Sequence, residues 1–451
     1  MASVLTRRMV RRMVGGCIAA MAALPAGGAE IPVSPGDRSL EQAIGSAQPG
    51  DVLILGPGLY RGPVTVDRRL VIEGRPPRSA IVDGGGRGTV IRLIAPEAVV
   101  RGLTIRNSGI RQEEIDSGVF ADSGGDRALI EDNLLENNEF SISMRGAADA
   151  IARRNVIFGR RDMRTNDRGD GISVWNATGS QALDNDIRYG RDGIRSTSSH
   201  DNVFARNRFH DLRYAVHYMW TDGGTVTDNL SEGNVVGFAI MYSRKLTITG
   251  NVSRGDSAHG LLLNFVNDAL IEGNGVYQGG TECVFIYNAN DNVISGNWFE
   301  GCPVGVHFTA GAERNRFSRN AFVDNQTQVK YVGTRALNWA TAGQGNYWSD
   351  NPAFDLDGDG IADMAYRPNG IVDRVIWSVP LAKLLLNSPA VQIVRWAQAQ
   401  FPAITPGGII DTAPLMRPPP QPALAAASPG QSLASRPASP GPVNPIGEMK
   451  E

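Results

Sequence analysis

Short alternations of apolar and polar residues recur through the middle of the chain, as in Val216-His217-Tyr218-Met219 and Phe238-Ala239-Ile240-Met241. A period of two suits strands with one buried face. One or two further short apolar runs separate these segments, with no helical stretch of about 10 residues among them, which disfavours a strand-helix solenoid. Two residue ladders punctuate the runs. Asparagines stand at 133, 155, 185, 207, 229, 251, 274, 297 and 320, spaced 22, 30, 22, 22, 22, 23, 23 and 23 apart, and Asn107 is expected to open the series one coil earlier. A second series, mostly glycine, keeps the same phase: Gly171, Gly193, Ala215, Gly237, Gly260, Cys283 and Gly305.

Two ladders in phase predict an all-β chain, a single-stranded right-handed parallel β-helix of about ten coils. No coil buries its apolar side chains alone, so stacking supplies the core. Asparagine tolerates left-handed backbone angles and hydrogen-bonds nearby backbone, which fits a sharp turn on every coil. The longer step from Asn155 to Asn185 implies an inserted loop, Arg160 to Arg168, read either as a partner-binding insertion or as a charged solvated loop.

The solenoid is expected over 30–339. Its first coil is capped by a short amphipathic helix at Ser39-Leu40-Glu41-Gln42-Ala43-Ile44, which protects an open strand edge. A C-terminal cap is expected over 340–416, combining an acidic loop with apolar helices broken at Pro389 and anchored by Leu381, Leu384, Leu385, Val391, Val394 and Trp396. From 417 to 451 proline, alanine, serine and glycine dominate, and a disordered tail is expected. Residues 1–29 read as an export signal: Arg7, Arg8, Arg11 and Arg12 precede the apolar stretch Met13 to Leu24, with small residues before Glu30. The general secretory route is preferred over the twin-arginine one, and lipidation at Cys17 is not expected.

A net charge of -2, with both signs scattered, offers no basic groove, so nucleic acid is not an expected partner. No later run of about 18 apolar residues suggests a membrane span. Signal removal leaves Cys283 and Cys302, which either pair or remain two buried thiols on adjacent coils.

Asp355, Asp357, Asp359 and Asp363 surround a glycine turn and put hard oxygens together, as calcium requires. Tyr366 stands where an EF-hand places its bidentate glutamate, so a shorter structural calcium loop closed by Asp363 is expected; an acidic turn without metal is the alternative. On the strand after the second ladder, one outward column reads Ser173, Arg195, His217, Ala239, Leu262, Phe285 and His307. The next reads Trp175, Thr197, Met219, Met241, Asn264, Tyr287 and Thr309. His217, Met219 and Met241 therefore group an imidazole with two thioethers, donors that suit Cu(I). An apolar docking surface of Met219, Met241, Leu262, Phe285 and Tyr287 accounts for the same residues without metal. Enzyme signatures are weak and no catalytic residue is assigned: Asp170 and Asp192 stack one coil apart, but their column ends at Tyr214 and Val236, which reads as turn formation.

Several strings resemble the NosD family of nitrous oxide reductase maturation proteins. They are Pro49-Gly50-Asp51 with Gly58-Leu59-Tyr60, Val216 to Met219, Cys283 to Asn290, Gly305 to Gly311, Lys330 to Arg335, Gly345 to Asp363, and Leu381 to Pro389. The likeness spans roughly Ser39 to Met416 and rests on non-repeating strings that other β-helices lack. It implies a periplasmic, non-enzymatic accessory protein and docking scaffold that handles copper transiently. The implied partners are the ABC transporter subunits NosF and NosY, the copper chaperone NosL and the apo-reductase NosZ, with membrane contact only through the transporter and ATP hydrolysed there. The alternative reading is a polysaccharide-binding or -modifying β-helix, such as a lyase or uronate epimerase; the Asp-Pro-His-Asp string of alginate epimerases is absent.

Overall fold

The computed structural model describes residues 28–309, 311–333, 335–370, 372, 380–385, 388–400 and 408–422. The expected signal segment up to residue 27 and the expected tail beyond residue 422 lie outside them.

Each coil supplies one strand to each of three parallel sheets, so neighbours in space lie one coil apart in sequence. Sheet I runs from Glu30–Val33 to Arg316–Ser318 and has 13 strands; sheet II, from Val64–Val66 to Thr327–Val332, has 12; sheet III, from Gly58–Arg61 to Tyr347–Trp348, has 13. The expected parallel β-helix therefore forms, with twelve complete coils and a part-coil at each end, about 14 turns where about ten were expected. The extra rungs lie where the asparagine ladder is silent, in the coils before residue 103, and at the far end. There Asn346 extends the ladder 26 residues beyond Asn320, a step outside the regular spacing. The β-structure accordingly continues past residue 339, into the segment expected to be cap.

The ladder holds the turn between sheets I and III. Asn229 is typical: its Nδ2 donates to the Phe204 carbonyl at 2.8 Å and to Asn251 Oδ1 at 2.9 Å. Its own Oδ1 accepts from Asn207 N and Nδ2, both at 2.9 Å. The asparagines are buried, where an unpaired amide would cost about 1–3 kcal/mol. From Asn133 to Asn320 the left-handed residue of each turn is the one before the asparagine, including Asp132 (φ 58), Asp184 (φ 57) and Asp228 (φ 54). Asparagine is used here for its two-way amide rather than for backbone tolerance. Asn107 does not open the ladder: the Leu103 N–H bonds Asn133 Oδ1, which gives that rung to Leu103.

Both ends are closed. Helix α1 (Ser39–Ser46) buries Leu40 and Ile44 against the first coils. At the other end Trp339 stacks on Phe317 at 3.9 Å and Trp348 on Phe322 at 4.2 Å. Asp411 ties this end, accepting from Asn346 N at 2.7 Å and Trp348 Nε1 at 2.9 Å. Beyond it lie a 3-10 turn, Pro380–Leu385, and helix α2, Pro389–Gln400, with Pro389 at the helix start, where its missing N–H costs nothing. Cys283 and Cys302 form a disulfide, which decides between the two sequence readings. Among the described residues no helix is long and apolar enough to cross a membrane.

A second buried ladder lines the corner between sheets III and II, where Leu212 N bonds Asn234 Oδ1 and Asn234 N bonds Asp256 Oδ1, each at 2.8 Å. Asp256 Oδ2 accepts from Ser231 Oγ at 2.8 Å and Ser253 Oγ at 2.6 Å. Burial pushes its carboxyl up from 3.8 to about 6, outweighing these donors. The fold therefore favours the protonated acid, and its contribution to stability is full below about pH 4 and lost as pH rises through about 6. Asp256→Asn copies the residue of the coil below. It should stabilise the chain by roughly 2–3 kcal/mol at pH 7.5 and by far less at pH 4, as read from urea midpoints; equal gains at both pH values would refute the assignment.

Candidate functional site

Sheet II carries the chemistry on its outward face. Inward residues such as Val216, Tyr218 and Ile240 fill the core, so the alternate positions point away from it. The strand register pairs Arg195 with His217, His217 with Ala239, Thr197 with Met219, and Met219 with Met241. His217 and both methionines thus share one face on consecutive rungs, about 4.8 Å apart along the axis.

His217 is 5% exposed. Its Nδ1 meets Asp192 Oδ2 at 2.9 Å, while its buried Nε2 has no hydrogen-bond partner. The Tyr214 ring stands edge-on at 5.0 Å between centroids. Asp192 also receives Arg213 Nε at 2.9 Å and Nη2 at 2.7 Å. Burial would raise the Asp192 carboxyl, but the bonds from His217 and Arg213 together outweigh it and hold it below the usual range. One coil below, Asp170 is bound by Arg191 at 3.1 Å and approached by Arg195 at 3.9 Å. There burial, and then the charge of Asp192, push the carboxyl up. The two aspartates are not turn formers: both side chains are wholly enclosed, in a buried ion-pair network beneath the face.

A carboxylate on one imidazole nitrogen fixes the tautomer and aims the other lone pair, as in the outer shell of metal-bound histidines. Here the other nitrogen is buried and unpartnered, on the strand face that also carries Met219, with Met241 one rung further on. Met241 packs with Tyr214, Val235, Val236, Ala239, Ala258 and Leu262 in a small apolar cluster outside the main core. Buried oxygens without partners flank it, Thr197 Oγ1 and Asn264 Oδ1. The donor set suits a soft cation held in an apolar setting. The pairing of Asp192 with His217 escaped sequence reading, although a signal exists: Asp192 precedes His217 by 25 residues, one coil plus three strand positions. Glu282 precedes His307 by the same 25, and its Oε1 lies 2.9 Å from His307 Nδ1. Glu282 Oε2 also lies 2.7 Å from His259 Nδ1.

In the cap, ligand oxygens of Asp355, Asp357 and Asp359 fall within 4.8 Å of one another. Asp355 accepts from Gly358 N at 2.7 Å and Gly360 N at 2.9 Å, which folds the loop around it. Asp363 is outside this convergent set; its Oδ2 closes the loop by accepting from Leu356 N at 2.9 Å. Leu381, Leu384, Leu385, Ile393 and Val394 are exposed rather than packed as anchors, Val391 is half-buried, and the Trp396 side chain lies outside what the structure describes. The Arg160 to Arg168 loop lies on the surface, with the Arg161 guanidinium 4.5 Å over the Tyr189 ring.

By architecture the chain is a pectin-lyase-like parallel β-helix. A mannuronic acid-specific family 6 polysaccharide lyase from human gut microbiota matches with a TM-score of 0.52 at 12% identity, over 71% of this chain and 86% of that one. A family 28 exopolygalacturonase of Yersinia enterocolitica matches with a TM-score of 0.54 at 12% identity, over 68% and 77%. At that identity the likeness is one of fold. A family model described as "Periplasmic copper-binding protein (NosD)" matches residues 153–353. The "Probable ABC transporter binding protein NosD" of Stutzerimonas stutzeri is 38% identical over 374 residues, 80% of this chain and 85% of that protein. Its namesake from Pseudomonas aeruginosa is 40% identical over 378 residues, 81% and 88%. The chain belongs to the NosD family.

Proposed function

We propose that this chain is a periplasmic copper-binding accessory protein, acting in assembly of the copper sites of nitrous oxide reductase, and that it binds rather than catalyses. The observation that carries the reading is the buried, unpartnered Nε2 of His217 on a strand face shared with Met219 and, by register, with Met241. Copper is cargo here: His217, Met219 and Met241 hold Cu(I) transiently, with Asp192 aiming the imidazole. The family supports this setting, since the matching model names a periplasmic copper-binding protein and the relatives are named ABC transporter binding proteins. NosF and NosY are the proposed transporter subunits, NosL the proposed donor of copper and apo-NosZ its receiver. A glycan-cleaving role needs carboxylates open to the sugar, whereas Asp170 and Asp192 are sealed by arginines.

The exposed leucines of Pro380–Leu385 and the apolar side of α2 are the proposed contact with the transporter. Asp355, Asp357 and Asp359, with Asp363 closing the loop, are the proposed ligands of a structural calcium ion.

Each assignment has its own measurement. Cu(I) titration against a chromophoric chelator should show a bound equivalent that weakens about a hundredfold, or ~2.7 kcal/mol, in His217→Ala, Met219→Leu, Met241→Leu; unchanged affinity removes the site. Leu381→Ser, Leu384→Ser, Ile393→Ser should abolish co-purification with NosF and NosY while leaving the melting temperature unaltered, and a retained complex rejects the contact. Calcium should raise the melting temperature of the wild type but not of Asp355→Asn, Asp357→Asn; an equal response in both would show the loop to be a metal-free turn.

A further inference from the structure

One residue after each of the two thioethers the backbone turns left-handed, past the strand end at Trp220 and as an unpaired residue within the longer strands Val236–Arg244 and His259–Asn267. Trp220 follows Met219, Tyr242 follows Met241 and Phe265 follows Asn264, with φ of 51, 49 and 52. Bulky side chains rarely adopt this conformation. In the same column the flanking coils use Asn176, Ser198 and Asn288, two of the three being the asparagine that such corners favour. Aromatic rings replace these small polar residues only on the rungs of Met219, Met241 and Asn264.

The rings are exposed: Trp220 57%, Tyr242 43%, Phe265 38%, and Tyr287 on the next rung 42%. They also order one another. Trp220 stacks on Tyr242 at 5.6 Å, Tyr242 on Phe265 at 5.0 Å, and Phe265 meets Tyr287 edge-on at 5.9 Å. The result is a rigid strip across four rungs, about 14 Å, along the border of the His217 face. Aromatic anchors already held in place lose little freedom on binding, and Trp and Tyr are the side chains most enriched at binding hot spots.

We propose that this strip is the docking surface for a transient protein partner that carries the soft cation to or from the His217 face. The inference rests on the copper reading above and names its partner surface. Size selects the occupant. The four rings offer on the order of 350 Å² of exposed surface, below the roughly 800 Å² per partner of a stable interface, which suits a brief encounter over a permanent second copy. Position selects its chemistry. A strip bordering the three soft donors brings a docked carrier's own thioether or thiolate ligands within reach of the bound ion, so the cation passes by ligand exchange without entering water.

The test uses Trp220→Asn, Tyr242→Asn, Phe265→Asn, which places in each corner the residue already found at Asn176 and Asn288. Binding of purified Cu(I)-loaded NosL to the wild type and to this variant is measured by thermophoresis, and Cu(I) from a small chelator is titrated into both. The proposal expects at least a thirtyfold loss of NosL binding in the variant with chelator-delivered Cu(I) bound equally. Equal NosL binding by both proteins, or none by the wild type, overturns the docking surface. Failure of the wild type to take chelator-delivered Cu(I) refutes the copper reading, and with it the carrier role, even where NosL binding depends on the strip.

Discussion

Register between coils is the constraint on which everything else depends. Each ladder asparagine ties its neighbour's amide to its own, from Asn133 to Asn346, inside a turn that water does not reach. A slip of one residue in any coil would break this chain of amides and turn the strand's inward residues to solvent. Because the penalty recurs at every rung, the columns on the outside are held as firmly as the core. A surface site built from three separate coils can then be as rigid as one built on a single strand.

That rigidity allows charge to be spent beneath the outer face. Arg191, Arg195 and Arg213 interleave with Asp170 and Asp192 in a network with no exposed carboxylate. Breaking such a pair leaves an uncompensated buried charge, at about 3–5 kcal/mol. Its visible product is one imidazole with its Nδ1 engaged and its Nε2 free. The charges are paired with one another, and one buried imidazole nitrogen is left unpartnered beside the Tyr214 ring, on the strand that carries Met219.

The sequence made the repeat legible because a coil is a local unit: spacings of 22 and 23 translate directly into neighbours, and the columns through His217 and Met219 follow by counting. What escaped it was whatever departs from the period. Asn346, at a spacing of 26, concealed the last rung, and coils without asparagine concealed the first. Asn107 lay near the right interval but after the sheet III strand, where the ladder stands before it. Asp192 was visible as a residue but not as the partner of His217, since their link combines a step between coils with three positions along a strand. The aromatic corners eluded a reading by columns because their left-handed residues interrupt the strand alternation, at backbone angles that no spacing reveals. The disulfide depended on side-chain direction, which composition does not carry.

A solenoid closed at both ends is also a ruler. The strand bearing Met219 lies five rungs before the last strand of sheet II, about 24 Å along the axis. Sheet hydrogen bonds fix that length, so it cannot stretch or fold back as a flexible linker would. Whatever engages the aromatic corner is thereby kept at a set height above whatever engages the far end of the coil, and the protein determines how far apart two visitors stand as well as whether they bind.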